Sequence, residues 1–234
     1  MQSNGFGRIV TKSQFIEKLA TRPKQKFTTG REGEGVPSMA VLIPLHERNG
    51  RQYVTFTKRS DQLRSHRGEV CFPGGKMDKG ESIEETCMRE THEEIGLKND
   101  DVDLWGQLTA VATRGFDASV CPVVGHVKYP TCLDRMKVNE HEVQAVFSLP
   151  LDELVEKARY TQFYTKKAIY RLPVFTSTQF RTHFDVKPES YRKEVKVWGM
   201  SAIMLHQLLT LTYPEYVGEG KMSFQMRKGS THRV

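Results

Sequence analysis

Residues 75 to 97 read GKMDKGESIEETCMRETHEEIGL, and this stretch decides the local fold. Ser82 and Glu85 stand three residues apart near its start, a spacing typical of a capping box, in which each side chain bonds the other residue's backbone amide. Gly96 is placed to end the helix, because glycine readily adopts the left-handed conformation found at helix C-caps. The stretch therefore predicts one helix between Ser82 and Gly96.

Two sides of the predicted helix differ in chemistry. Glu90, Glu93 and Glu94 fall within an arc of roughly 100° on a helix of 3.6 residues per turn. This arc borders an apolar stripe that should face the core, so crowded carboxylates there would be protonated or destabilising unless divalent cations lay among them. Oxygen ligands favour Mg²⁺ or Mn²⁺ over zinc. The stripe consists of Ile83, Cys87, Thr91 and Ile95.

Strand signals flank this helix on both sides. Before it, two strands joined by a turn at 47–50 are predicted, and a short third strand is stopped by Pro73-Gly74-Gly75. Mixed strands and few helices predict an α+β fold, a mixed β-sheet sandwiched between α-helices. The predicted strands cover 38–45, 53–59, 69–72, 108–112, 120–127 and 143–147, followed by a helix from about 151, a hairpin through 160–175 and a last helix near 200–211.

The charge pattern divides the chain into three parts. The formal net charge is +7, but basic and acidic residues balance between 38 and 218, so the excess lies near the termini. We expect residues 1–37 to be a flexible basic segment with a short helix at Phe15, Ile16 and Leu19, residues 38–212 to be one domain, and residues 213–234 to be a basic tail. A balanced domain without an aromatic single-strand motif argues against nucleic acid as a partner.

Composition also bears on the environment of the protein. No window contains the eighteen or more apolar residues that a membrane-spanning helix needs, so no membrane insertion is expected. The basic N-terminus, with Arg8, Lys12, Lys18 and Arg22, favours a mitochondrial location, although Glu17 interrupts it and a cytoplasmic location is the alternative. The terminal residues 231–234 lack a Ser-Lys-Leu type signal, which argues against the peroxisome. The oligomeric state stays open, a homodimer included.

The helix and its glycine loop resemble the Nudix box. Five residues separate Gly75 from Glu81, and seven more precede Arg89-Glu90-x-x-Glu93-Glu94-x-Gly96-Leu97. Thr91 occupies a position that is usually hydrophobic in the box. A merely solvated acidic helix is the alternative, but it would require neither Gly74-Gly75 nor Arg89.

The resemblance implies a set of roles. Glu90 and Glu94 would be the principal metal ligands, Glu93 a direct or water-mediated ligand, the Gly75 carbonyl another contact, and Arg89 a group that orients Glu93 or Glu90. The implied reaction is attack of a metal-activated water on one phosphorus of a diphosphate. The general base would be a box glutamate such as Glu93 or a carboxylate outside the box.

Two glutamates outside the box are candidates for that base. Glu140 and Glu142 lie in the stretch Val138-Asn139-Glu140-His141-Glu142-Val143, and the alternative is that both are ordinary surface acids.

The chain upstream of the box resembles the coenzyme A diphosphatase branch of this family. The likeness is carried by 57–60 and 63–75, and later by 139–143, 172–175 and 198–202. It implies coenzyme A and acyl-CoA as substrates, cleaved to 3′,5′-ADP and (acyl-)4′-phosphopantetheine. Cationic donors suit the extra 3′-phosphate of coenzyme A. The predicted substrate-binding residues are Arg59, Arg64, His66, Arg67 and Gly74.

Two other functions stay open. A Nudix hydrolase of ADP-ribose, NADH or other nucleoside diphosphate derivatives would share the fold and the metal. A non-catalytic nucleotide- or RNA-binding module would be expected to lose Arg89, Glu90, Glu93 or Glu94, and all four are present.

Overall fold

The computed structural model describes residues 9–21, 37–113, 118–164, 168–188, 193–213 and 222–226. The described helices are α1 (Lys12–Thr21), α2 (Ile83–Ile95), α3 (Leu151–Glu156) and α4 (Gly199–Thr212). The strands are β1 (Met39–Arg48), β2 (Arg51–Arg59), β3 (Val70–Cys71), β4 (Gly74–Lys76), β5 (Val102–Gln107), β6 (Val111–Ala112), β7 (Ser119–Val127), β8 (Val143–Pro150), β9 (Arg159–Tyr164), β10 (Ala168–Ser177), β11 (Arg181–Asp185), β12 (Val195–Val197) and β13 (Ser223–Met226). None of these helices is long and apolar enough to cross a membrane.

The predicted opening hairpin is present as β1 and β2. Arg48 pairs with Arg51 across a two-residue turn, and both turn residues have positive φ, 53° at Asn49 and 72° at Gly50. Asn-Gly is the dipeptide that such turns favour, because both residues tolerate the left-handed conformation. The turn fixes the register of the two strands.

The main sheet is mixed, as predicted. Its strand order is β11-β8-β2-β1-β7-β5, and only the β1–β7 pair along this path is parallel. One apolar cluster joins α1, α3 and α4 to the sheet through Phe15, Leu154 and Leu205. A second cluster joins α2 to the sheet through Cys87 and Ile95. Helices therefore cover both faces, and the predicted sandwich is confirmed.

The helix α2 has the predicted ends. The Glu85 amide donates to the Ser82 hydroxyl at 3.2 Å, and the Ser82 amide donates to the Glu85 carboxylate at 2.8 Å. Gly96 closes the helix with φ 74°. Cys87, Thr91 and Ile95 are fully buried, so the predicted stripe does face the core.

A second, smaller sheet lies in the C-terminal half. β9 and β10 form the predicted hairpin, and β10 also pairs with β12 and β13. The prediction placed a strand at 108–112 and missed β5, and it also missed β11, β12 and β13. These strands are short and carry polar residues, and a sequence signal for a strand weakens when few residues alternate.

Three predicted boundaries differ from the structure. Gly74 and Gly75 were expected to stop a strand, but they form β4, which pairs with β1. The predicted domain start at 38 excludes α1, which packs on the domain with Phe15 fully buried. The predicted end at 212 excludes Tyr213, which is buried, and β13. The rest of both predicted terminal segments, 1–8, 22–36, 214–221 and 227–234, lies outside the described residues.

Candidate metal and diphosphate site

Glu94 lies at the centre of the candidate site, where the C-terminal half of α2 meets β4. Its side chain is buried, and its Oε2 accepts a hydrogen bond from the Gly74 amide at 3.2 Å. Burial raises the pKa of this carboxyl to about 8, with repulsion from Glu142 and Glu90 adding to the rise and Arg59 opposing it. Glu94 is thus a desolvated acid held at a glycine strand.

Glu90 lies one turn earlier, against Gly75. A Cβ atom at Gly75 would stand 2.5 Å from the Glu90 carboxyl carbon, closer than any real contact allows. Only glycine therefore leaves room for this carboxylate at β4. Burial is also the main cause that raises the Glu90 pKa, with Arg89 acting in the opposite direction.

Arg89 is held from several sides. Its guanidinium donates to both carboxylate oxygens of Glu81, at 2.6 and 3.0 Å, and to the Lys76 carbonyl at 3.0 Å. It also reaches Glu90 at 3.2 Å and Glu93 at 3.5 Å. The bond from Arg89 is the main reason that the Glu81 pKa falls to about 2. The sequence left open whether Arg89 orients Glu93 or Glu90. In the structure its guanidinium hydrogen-bonds both carboxylates.

The three carboxylates converge less than the helix arc predicts. Glu94 is 4% exposed, whereas the Glu93 side chain is 56% exposed and points to solvent beside Arg89. The side of α2 that borders the apolar stripe therefore shields Glu94 from water far more than Glu93. The positions on α2 fix only the side from which a side chain leaves, and the depth of each depends on how β4 covers that side.

The donors present fit a hard divalent cation. They are all oxygens. Burial raises the pKa of both Glu90 and Glu94, so a bound cation would stabilise the ionised form of these two carboxyl groups. The close approach of Gly75 to Glu90 adds a backbone carbonyl nearby. Within the described ranges no three His, Cys, Asp or Glu side chains are already arranged to hold a metal ion. The residues therefore match a divalent cation in the chemistry of their donor atoms.

Glu142 lies in a turn that is tied to the site. The Asn139 amide donates to the Glu94 carbonyl at 2.9 Å, and the Glu142 amide donates to the Asn139 carbonyl at 3.0 Å. The charge of Glu142 raises the pKa of both Glu90 and Glu94. Of the two candidate bases outside the box, Glu142 is the one for which the structure shows this interaction. Glu140 is exposed in the same turn.

Sequence reasoning gave no role to Asn139. Its side-chain oxygen accepts from the His141 amide at 3.2 Å, while its backbone joins the turn to α2. Asparagine is a common turn former because its side chain bonds the backbone two residues on, and this signal could have identified it.

The predicted substrate-binding residues separate into two groups. Arg64, His66 and Arg67 are exposed on the segment 60–69, which joins β2 to β3. Arg59 is the last residue of β2, and its charge acts on Glu94 inside the site. Gly74 faces the site as well, but its amide already donates to Glu94.

The geometry of the site by itself indicates the class of protein. A glycine strand set against a capped helix, with buried carboxylates and a clamped arginine, is the arrangement expected of a Nudix box. A model of the NUDIX domain matches residues 36–172, more than half of the chain. The chain therefore belongs to the Nudix family of hydrolases.

Three relatives show the likeness over different lengths. The chain is 46% identical over 211 residues to Nudix hydrolase 3 of Caenorhabditis elegans, covering 90% of this chain and 88% of the relative. It is 34% identical over 194 residues to the mitochondrial coenzyme A diphosphatase NUDT8 of Mus musculus, covering 81% and 84%. It is 40% identical over 124 residues to the peroxisomal coenzyme A diphosphatase NUDT7 of Mus musculus, covering 53% and 51%.

Proposed function

We propose that this Nudix pyrophosphohydrolase cleaves the diphosphate of coenzyme A and acyl-CoA, giving 3′,5′-ADP and 4′-phosphopantetheine or its acyl form. One observation carries the proposal. The segment 60–69, which precedes β3 and β4 in the chain, exposes the donor side chains of Arg64, His66 and Arg67. The likeness to two coenzyme A diphosphatases supports the same substrate.

The side chains of the box have separate tasks in this reaction. Glu90 and Glu94 would hold Mg²⁺ or Mn²⁺ with the Gly75 carbonyl, and Glu93 would be a direct or water-mediated ligand. When bound, the cation supplies charge neutralisation at the diphosphate oxygens and lowers the pKa of water. Arg89, anchored by Glu81, fixes the directions of Glu90 and Glu93.

A proton acceptor is needed for the attacking water. Glu142 is suited to this task because its turn is hydrogen-bonded to α2 and its charge acts on both buried carboxylates. A carboxylate accepts a proton efficiently when it lies within hydrogen-bond reach of the water. Glu140 and Glu93 are the other candidates.

Recognition of coenzyme A would use the 3′-phosphate. Arg64, His66 and Arg67 are exposed to a ligand, although the His66 ring also meets Glu69 at 3.0 Å and Arg67 Nε donates to the Leu63 carbonyl. An arginine fork matches the geometry of a phosphate group. ADP-ribose and NADH lack this phosphate, so it is the feature on which substrate choice would depend.

The substrate is tested with purified protein, Mg²⁺ or Mn²⁺, and a matched panel analysed by mass spectrometry. The panel contains coenzyme A, 3′-dephospho-coenzyme A, an acyl-CoA, ADP-ribose, NADH and a nucleoside triphosphate. We expect the highest kcat/KM for coenzyme A or its thioester, with 3′,5′-ADP as a product. Equal turnover of the dephosphorylated compound, or preference for ADP-ribose or NADH, would remove the assignment.

We also propose a mitochondrial location, supported by the basic N-terminus and by the relative NUDT8. The helix α1 belongs to the folded domain, since Phe15 is fully buried and Lys12 pairs with Asp103 at 2.6 Å. Import would therefore have to leave α1 in place. Fractionation of cells, with N-terminal sequencing of the recovered protein, tests this, and recovery from the cytosol alone would contradict it.

A further inference from the structure

Arg59 differs from the other cations near the site because its guanidinium is partly buried. Its Nε is enclosed by protein, and among the described residues it has no hydrogen-bond partner. A buried donor without an acceptor costs free energy, more so on a charged group, so such donors call for an explanation. An anionic ligand that brings an acceptor is one.

The backbone at Arg59 and Ser60 is fixed by three hydrogen bonds. Its amide donates to the Glu69 carbonyl at 3.0 Å, and its carbonyl accepts from the Gly68 amide at 3.1 Å. The next amide, of Ser60, donates to the Glu142 carbonyl at 2.8 Å. The side chain therefore starts from a point that the sheet sets, whereas Arg64 and Arg67 lie within the connecting segment.

The groups around this guanidinium leave its Nε available for a ligand. Its charge acts on Glu94 and on Cys71, and its side chain also hydrogen-bonds the Cys71 thiol. Burial raises the pKa of the Cys71 thiol to about 11, so this neighbour is neutral at physiological pH. Glu94 already accepts the Gly74 amide on Oε2. Arg59 is thus a cation whose charge acts on a proposed metal ligand and whose Nε donor is open.

We propose that Arg59 binds the diphosphate at which the substrate is cleaved, whereas the 3′-phosphate is left to the exposed cations of the segment 60–69. Arg59 adjoins the turn of Glu142, which is itself hydrogen-bonded to α2 at Glu94, so its open donor lies among the elements that carry the proposed cation site. The part of the substrate that approaches this site is the diphosphate. Arginine is suited to this contact because its donors match phosphate oxygens. The assignment of the 3′-phosphate to the segment 60–69 rests on the proposed function. The contact of Arg59 with the diphosphate applies to any nucleoside diphosphate substrate.

Equilibrium binding of two product analogues separates the two phosphates. 3′,5′-ADP and 5′-AMP share the 5′-phosphate, which comes from the diphosphate, and differ only in the 3′-phosphate. We would measure both by calorimetry with the wild-type protein, Arg59→Met and Arg59→Lys, in the presence of Mg²⁺. Arg64→Met is the matched control, because it removes an exposed cation from the neighbouring segment.

Arg59→Met should weaken both analogues by the same factor, about tenfold or more. Arg59→Lys should weaken both less, since it keeps the charge but loses the fork. Arg64→Met should affect 3′,5′-ADP alone. If Arg59→Met weakens only 3′,5′-ADP, or neither analogue, the proposal is wrong.

A third measurement excludes a purely structural effect. Removing a positive charge beside Glu94 should leave the affinity for Mn²⁺ alone equal or higher, measured by electron paramagnetic resonance of free Mn²⁺. A lower Mn²⁺ affinity in Arg59→Met and Arg59→Lys would mean that the site has collapsed, and would overturn the proposal. If wild-type protein binds 5′-AMP as tightly as 3′,5′-ADP, the coenzyme A assignment fails, but the loss of 5′-AMP binding in Arg59→Met still tests Arg59.

Discussion

Gly75 and Glu90 fit together so closely that a single methyl group at residue 75 would stand 2.5 Å from the Glu90 carboxyl carbon. The two residues come from different elements, β4 and α2, and this contact sets how near the strand backbone approaches the carboxylate. The spacing between strand and helix is therefore part of the proposed metal site.

Gly75→Ala should displace Glu90 and lower kcat/KM by about a hundredfold, because a shift of roughly 1 Å in a catalytic group can cost that much. Steady-state kinetics with Mg²⁺ measure the loss, and Mn²⁺ titration should show weaker binding. Gly50→Ala is the control: with φ 72° and open space around it, it should cost about 1 kcal/mol of stability and leave kcat/KM unchanged. Wild-type turnover in Gly75→Ala would mean that Glu90 has no role at this position.

Glu81→Gln should lower kcat about tenfold or more, because Arg89 loses its charged anchor and orients Glu90 and Glu93 less well. Glu85→Gln in the first turn of α2 provides a comparison, since glutamine also completes a capping box. That variant should retain activity. Equal kcat values for the two variants would show that the anchor of Arg89 does not matter for turnover.

Glu94→Gln should reduce kcat at least about a hundredfold if Glu94 is a principal metal ligand. The melting temperature of the metal-free protein should change little, because burial already raises the Glu94 pKa to about 8 and glutamine resembles the neutral acid in shape. Kinetics and calorimetry on metal-free protein measure the two effects. Substantial residual activity would show that the ligands are assigned wrongly.

Glu142→Gln and Glu140→Gln separate the two candidate bases outside the box. Because Glu142 is the proposed proton acceptor for the attacking water, its loss should lower kcat by about a hundredfold, within the range for general bases. Glu140→Gln serves as the control from the same exposed turn and should stay near wild type. The reverse order of the two kcat values would transfer the role to Glu140.

The buried carboxylate of Glu153, outside the candidate site, should make the free energy of unfolding depend on pH. Burial alone would raise its pKa, but hydrogen bonds from Lys157, Ser177 and Thr178 outweigh it and bring the pKa from 4.5 to about 2. A depressed folded-state pKa stabilises the fold above pH 4.5, and this contribution is lost as the pH falls towards 2. Wild type should exceed Glu153→Gln in free energy of unfolding by up to about 3 kcal/mol at pH 7.

Urea denaturation at pH 7, 4 and 3 checks this expectation, and the difference between the two proteins should shrink at each step. Glu156→Gln is the control on the exposed side of α3, and it should change stability by less than about 0.5 kcal/mol. A difference that stays constant from pH 7 to pH 3 would contradict the assigned cause.

The sequence by itself determined the helix α2 and the chemistry that it carries. The caps of α2 involve only groups within four residues of Ser82, Glu85 and Gly96, so they can be predicted without knowledge of the fold. The same local logic predicts the Asn49-Gly50 turn and the alternation of strands and helices. The spacing from Gly75 to Leu97 was also enough to indicate the family.

Only the tertiary structure decided how deep each functional side chain lies. Glu93 and Glu94 are neighbours in sequence, yet one is exposed and the other is buried, because β4 covers one side of α2. The charge of Arg59 acts on Glu94 only because β2 pairs with β3 and β8. Burial and long-range pairing depend on elements far apart in the chain, and no local pattern encodes those distances.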